Sequence, residues 1–249
     1  MARVSVPAGM LAGVTPLRTL LDVVLPSRCV GCDGPAGPLC GTCADGLSSP
    51  FPVRRAAVVD GPPVYALGYY AGAARRAVLA YKERGRRELA APLGRLLGVA
   101  VARLPPVRAH GARRGVCLVP VPSRAAAARA RGGQHVLRLA RRCAATLRVT
   151  GLPARAHPVL ALDRRARDAV GLGPADRLAN VAGRLRYVAD AAMPQGTPVV
   201  LLDDVITTGA TAAACCAALA GAGHPVLAVI GCTATESRGL RHSSSSYTP

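Results

Sequence analysis

The stretch Val199-Val200-Leu201-Leu202-Asp203-Asp204-Val205-Ile206-Thr207-Thr208-Gly209-Ala210-Thr211 decides the fold. Four apolar residues in a row suit a strand buried on both faces, and such strands belong to parallel sheets covered by helices. The spacing predicts a strand over 198–203 and a helix over 209–220, with Gly221 and Gly223 at its end. Asp203 and Asp204 then stand at the C-terminal end of a strand, where open α/β sheets bind ligands. Between them and the helix lies a turn of Thr and Gly.

The residue types of that turn suit a phosphorylated sugar. N–H groups at a helix N-terminus carry partial positive charge and bind phosphate. Gly209 lets the backbone approach closely, and the hydroxyls of Thr207, Thr208 and Thr211 can donate to phosphate oxygens. Two adjacent carboxylates can accept hydrogen bonds from a vicinal diol such as that of ribose. There is no Walker A lysine and no G-x-G-x-x-G, which excludes a nucleoside-triphosphatase loop and a dinucleotide fingerprint.

Outward from this stretch, strands are predicted at 64–70, 116–121, 184–188 and 225–232. Helices are predicted at 73–83 and 87–104, and a third runs to about 147, interrupted near Gly132 and Gly133. Strands alternating with helices give an α/β fold with a mainly parallel sheet flanked by helices. The segments 105–115 and 150–183 read as loops, the second with short helices, and 51–63 reads as a Pro-rich linker. The resulting division is an N-terminal helical extension (1–25), a Cys-rich module (26–50), an α/β domain (64–235) and a disordered tail (236–249).

In the module, Cys29-Val30-Gly31-Cys32 and Cys40-Gly41-Thr42-Cys43 form two C-x-x-C knuckles separated by seven residues. Two such knuckles place four thiolates around one tetrahedral Zn²⁺, and with no ligand position left open the site is structural. Free thiols or a redox pair are the alternative, but a segment too small for its own core favours the metal. Nine cysteines, four of them so grouped, point to a reducing, cytoplasmic setting rather than a disulfide framework. Cys117, Cys143, Cys215, Cys216 and Cys232 lie in apolar runs and read as small core residues.

The chain carries 32 Lys and Arg against 13 Asp and Glu, a net charge of +19, so it attracts polyanions, unless the excess of Arg is a bias of composition. Aromatic residues make up only 3%, which argues against a single-strand binder built on base stacking. The 205–235 stretch contains no Asp, Glu, Lys or Arg, but Gly209, Gly221, Gly223 and Pro225 break it, so no transmembrane segment is expected. The apolar stretch from Val14 to Leu25 is interrupted by Arg18 and Asp22 and lacks the features of a secretory signal. His110, His157 and His224 read as surface or loop residues. His135 stands beside Arg131-Gly132 and could face a pocket.

The segment VVLLDDVITTGAT resembles the phosphoribosyl-pyrophosphate signature of type I phosphoribosyltransferases. Together with the four-Cys module and the VPVP stretch at 119–122, it makes the chain similar to the ComF/GntX family of amidophosphoribosyltransferase-like proteins, over roughly residues 18–235. The resemblance implies a type I phosphoribosyltransferase-like fold with a small zinc-ribbon-like module. It implies that Asp203 and Asp204 hold ribose hydroxyls and that Thr207, Thr208, Gly209 and Thr211 hold the 5-phosphate. It makes Pro122, Ser123 and Arg124 the pyrophosphate loop, with Mg²⁺ bridging the pyrophosphate oxygens, and makes Lys82 and Arg131 pocket residues. Arg177 and Asn180 keep the family's Arg-x-x-Asn pattern. Gly133, Gln134 and His135 depart from it, as does Ala169 in the place of a Gln, so the acceptor side stays unassigned.

Three functions are weighed, the first two implied by this resemblance and the third by the Cys module. The first is transfer of ribosyl from phosphoribosyl pyrophosphate to a nitrogen nucleophile, catalysed mainly by positioning and charge stabilisation. The second is a non-catalytic accessory role in competence, taking up single-stranded DNA with DNA-uptake proteins. The third is an adaptor whose loop senses a metabolite.

Overall fold

The structure is a computed structural model describing residues 28–110, 115–123, 128–129, 133–162, 185–190 and 193–236. The expected N-terminal helix, Arg124, Arg131, Ala169, Arg177, Asn180 and the tail from Ser237 lie outside the described residues.

The chain begins with the Cys module, whose one short helix is α1 (Gly41–Asp45). It continues through β1 (Phe51–Pro52), a 3₁₀ turn at Ala56–Val58 and β2 (Val64–Tyr69). Three helices follow: α2 (Gly72–Glu83), α3 (Ala90–Arg103) and α4 (Pro105–His110). Then come β3 (Val116–Pro120), α5 (His135–Val149), β4 (Ala154–Ala156) and β5 (Leu160–Leu162). Last are β6 (Leu185–Tyr187), β7 (Val199–Ile206), α6 (Ala210–Gly221) and β8 (Val226–Ala234).

Six strands form one sheet in the order β1-β2-β8-β7-β3-β4. Only the edge pair β1–β2 is antiparallel; every other pairing is parallel. This is the mostly parallel α/β sheet that the sequence implies. β5 and β6 pair antiparallel as a separate two-stranded unit.

The alternation of β7 explains why the sheet needs cover on both sides. Val200 and Leu202 join Leu118, Ile230 and Cys232 on one face, packed by Leu93 and Leu97 of α3 and Leu139 and Leu147 of α5. Val199 and Leu201 join Val119 and Val229 on the other, packed by Cys215 and Leu219 of α6 and by Val53 and Val58. Each buried Leu gains about 2 kcal/mol over an exposed one. α3 and α5 press closest at Gly94 and Gly98, where an added Cβ would sit 2.3 Å from Arg142 Cβ and 2.6 Å from Thr146 Cβ.

Helix placement also sets where a ligand can enter. β3 continues through α5 on one face of the sheet, and β7 continues through α6 on the other. The two parallel strands are neighbours, with Pro120 opposite Leu202. The chain therefore departs to opposite sides at their C-terminal ends, which is where doubly wound sheets open a crevice for a ligand.

Several segments read as loops carry regular structure. The 51–63 segment is not a free linker: Phe51 and Pro52 extend the sheet, and the turn after them packs on α6. A short helix, α4, occupies 105–110, and β4 and β5 lie within 150–183. β4 and β5 are no shorter than β6, which is expected at 184–188, but they fall inside a stretch whose Arg, Gly and Pro read as loop.

Candidate ligand site at the ends of β3 and β7

The crevice is built from the last residues of β7 and the turn after β3. Val121 N–H donates to Leu202 O at 2.8 Å, which ties the Pro122-Ser123 turn against β7 just before the two acids. Asp203 and Asp204 lie within the strand itself, which runs three residues further than expected.

The acids have different surroundings. Asp204 is buried, and its Oδ2 lies 2.8 Å from Lys82 Nζ and 2.7 Å from His135 Nε2. Its Oδ1 accepts the Val205 N–H at 2.7 Å. Burial opposes the charge on this carboxylate, but His135 and Lys82 more than offset it and hold Asp204 well below the usual carboxylate range. Asp203 is half-buried, and its Oδ1 accepts the Asp204 N–H at 2.8 Å. Burial first, and then the Asp204 charge, push its carboxyl well up. One acid is thus a fixed anion inside the fold. The other is the carboxylate a ligand meets more readily.

The resemblance pairs both acids with ribose hydroxyls, yet the Asp204 oxygens already hold three donors from the chain. Lys82 reaches Asp204 from the last turn of α2, so that expected pocket residue does join the site. His135 joins it too. It is the first residue of α5 and only 4% exposed. Tyr81 Oη donates to its backbone carbonyl at 2.7 Å, and its Nδ1 faces Ser123 Oγ at 3.4 Å. A continuous polar chain therefore runs from Ser123 through His135 to Asp204 and Lys82.

The Thr/Gly turn closes the site. Thr207 and Thr208 are exposed, and Thr208 Oγ1 accepts the Ala210 N–H at 3.4 Å. Gly209 caps the helix with φ +82, a left-handed conformation. A Cβ there would also lie 2.9 Å from both Arg55 Cβ and Val58 Cγ2, so the position needs glycine on two grounds. Arg55 comes from the segment read as a linker. Its Nε donates to Thr207 O, and its Nη2 to Thr235 O and, at 3.5 Å, Ile206 O. Nothing in a Pro-rich stretch announces a contact across 152 residues.

In the module, the Sγ atoms of Cys29, Cys32, Cys40 and Cys43 all lie within 4.8 Å of one another. Cys32 and Cys40 are 3.6 Å apart, close to the roughly 3.8 Å of two thiolates on one tetrahedral zinc. Burial raises the Cys29 thiol, but N–H groups of Cys40, Cys32 and Gly31 outweigh it and bring it to about 6. Burial and the neighbouring thiols push Cys43 up to about 12. The cluster can hold a metal ion such as zinc, which would displace those protons. By contrast, burial drives the thiols of Cys143, Cys215 and Cys232 upward, as core positions require.

His157 and His224, expected at the surface or in loops, both lie in loops: His224 is 2% exposed, with Nε2 2.9 Å from Tyr187 Oη, and the half-buried His157 has Nδ1 2.8 Å from Asp190 Oδ2. Each is polar and isolated in sequence, and only the folding of β6 and its flanks brings the partner. Among the described residues no helix is long and apolar enough to cross a membrane. No model of a known protein family matches the chain, and no curated protein matches it.

Proposed function

We propose that the crevice binds a phosphorylated ribose of the phosphoribosyl pyrophosphate class and transfers the ribosyl group to a nitrogen nucleophile, with release of pyrophosphate. The observation that carries this reading is the position of Asp203 and the Thr207–Gly209 turn at the end of β7, with Ser123, at the end of the neighbouring β3, linked through His135 to Asp204. The turn and the N-terminus of α6 would hold the 5-phosphate through N–H groups and Thr hydroxyls. Asp203 would accept a ribose hydroxyl. Asp204, fixed by Lys82 and His135, would contribute a stationary negative charge beside the developing oxocarbenium centre rather than a free acceptor.

Ser123 would donate to the pyrophosphate, and His135 would orient its hydroxyl. The crevice also supplies hard oxygen donors, the Asp203 carboxylate and the Ser and Thr hydroxyls, of the kind Mg²⁺ takes alongside substrate phosphates. When bound there, Mg²⁺ would neutralise charge on the leaving pyrophosphate. The four-Cys cluster would hold structural zinc.

Pyrophosphate release from phosphoribosyl pyrophosphate and Mg²⁺, measured across ammonia and a panel of nucleobases, tests the transfer. Turnover with one acceptor, lost in Ser123→Ala and Asp203→Asn, supports it. Absence of turnover with every acceptor overturns the transfer step and leaves a binding protein. The net charge of +19 favours a nucleic-acid partner in that case. Single-stranded DNA binding that weakens steeply with added salt would establish this second reading.

A further inference from the structure

We infer that Arg55 is a positioning residue for the anion-binding turn, acting on the backbone of Ile206, Thr207 and Thr235 from a segment that the sequence presents as a spacer. The inference rests on the reading of Thr207–Gly209 as a phosphate cradle and adds a residue to it.

The geometry starts from the peptide plane. In a trans peptide the C=O and the following N–H point in opposite directions, and the described residues contain no cis bond. Thr207 O is held by Arg55 Nε, so the Thr208 N–H points away from Arg55. Ile206 O is held by Arg55 Nη2 and by the Thr235 N–H at 3.0 Å, so the Thr207 N–H points away from β8. β3 flanks β7 on the side opposite β8, so that N–H points toward the crevice.

One guanidinium therefore gathers carbonyl oxygens on one side of the turn and turns successive N–H groups to the other. Its five fixed donors suit this task, because a planar fork can serve several carbonyls at once. The same gathering removes carbonyl dipoles that would repel an anion, and it places a positive charge behind the cradle. Burial of the Arg55 side chain opposes that charge, which gives its contacts with the carbonyls more weight. The fit is close, since a Cβ added to Gly209 would lie 2.9 Å from both Arg55 Cβ and Val58 Cγ2 and leaves no room for a side chain.

The test is calorimetric titration of two ligands into the full-length, zinc-loaded protein: ribose 5-phosphate, and pyrophosphate with Mg²⁺. The variants are Arg55→Ala, Arg55→Lys and Val58→Ala, each checked for cooperative thermal unfolding. Arg55→Ala is expected to weaken ribose 5-phosphate by roughly tenfold or more, the scale of losing hydrogen bonds to a charged group. It should leave magnesium pyrophosphate within twofold of wild type. Arg55→Lys should recover part of the loss, because it restores the charge without the fork.

Val58→Ala loosens the same contact without touching the charge. It should cost less than Arg55→Ala, and an equal loss in both variants would mean that the segment acts by packing alone, overturning the inference. Wild type that binds ribose 5-phosphate while Arg55→Ala binds it equally well overturns the inference but leaves the cradle standing. Wild type that binds no ribose 5-phosphate overturns both. If Arg55→Ala fails to fold, Arg55→Lys decides, since retention of full affinity by a residue that cannot span three carbonyls would also contradict the role.

Discussion

At the scale of the residue, two neighbouring carboxylates make opposite contributions to stability. The folded pKa of Asp204 lies below its unfolded value of about 3.9. Its stabilisation is therefore complete above that value and is lost as pH falls through the folded one. Asp203 has the reverse sign, because its folded pKa is raised. It favours folding at low pH, and that contribution disappears as pH rises from about 4 through the folded value. Asp203→Asn should accordingly raise stability at pH 7 by about 1 kcal/mol while weakening sugar-phosphate binding, a trade common at functional sites. Asp204→Asn should destabilise by about 2–4 kcal/mol, because Lys82 and His135 lose the charge they share. Denaturant unfolding of both variants at pH 7 checks the signs, and a loss of stability in Asp203→Asn would contradict the account of that residue.

At the scale of the element, the contact between α3 and α5 depends on absent side chains. Gly98→Val would drive two methyls into Thr146 and the Cys143 carbonyl, so we expect a loss of about 2–3 kcal/mol, read as a lower unfolding midpoint with an unchanged slope. Elements of this length were readable in the sequence. The apolar run Val199–Leu202 is buried on both faces of the sheet, and the helical spacing of 73–83, 87–104 and 209–220 buries one face of each helix, so period and length agree. Asp203, Asp204, Thr207 and Gly209 were readable for the same reason, since all belong to one strand–turn–helix.

Lys82 and Ser123 were named only through the resemblance, and His135 only by its place beside Arg131-Gly132; their contacts with one another, and Arg55 altogether, were not readable because the partners are far apart in sequence. His135 meets Asp204 across 69 residues, and Arg55 meets Thr207 across 152. A histidine in the first turn of a helix and an arginine among prolines carry no local pattern that tells a buried partner from a solvated one. The β4 and β5 strands escaped because their three residues each lie inside a stretch of Arg, Gly and Pro that reads as loop.

At the scale of the whole molecule, the four-Cys cluster is wired to the crevice through α2. Arg76 of this helix donates from Nε to the Gly31 carbonyl at 2.9 Å, and Lys82, later on the same helix, holds Asp204. Leu47, just beyond the last cysteine, is fully buried in the core beneath the same sheet face. Stripping the metal with a chelator should therefore lower the unfolding temperature of the whole protein rather than melt a separate transition. Differential scanning calorimetry distinguishes the two, and an independent low-temperature transition with the main peak unmoved would show that the module is uncoupled.

The central claim is that the crevice between β3 and β7 is a sugar-phosphate site. Calorimetric titration of phosphoribosyl pyrophosphate into the folded, zinc-loaded protein, with and without Mg²⁺ and repeated on Asp203→Asn, tests it most directly. The account predicts saturable 1:1 binding that strengthens with Mg²⁺ and falls by roughly tenfold or more in the variant. No heat of binding in folded wild-type protein, or equal binding in Asp203→Asn, would contradict it.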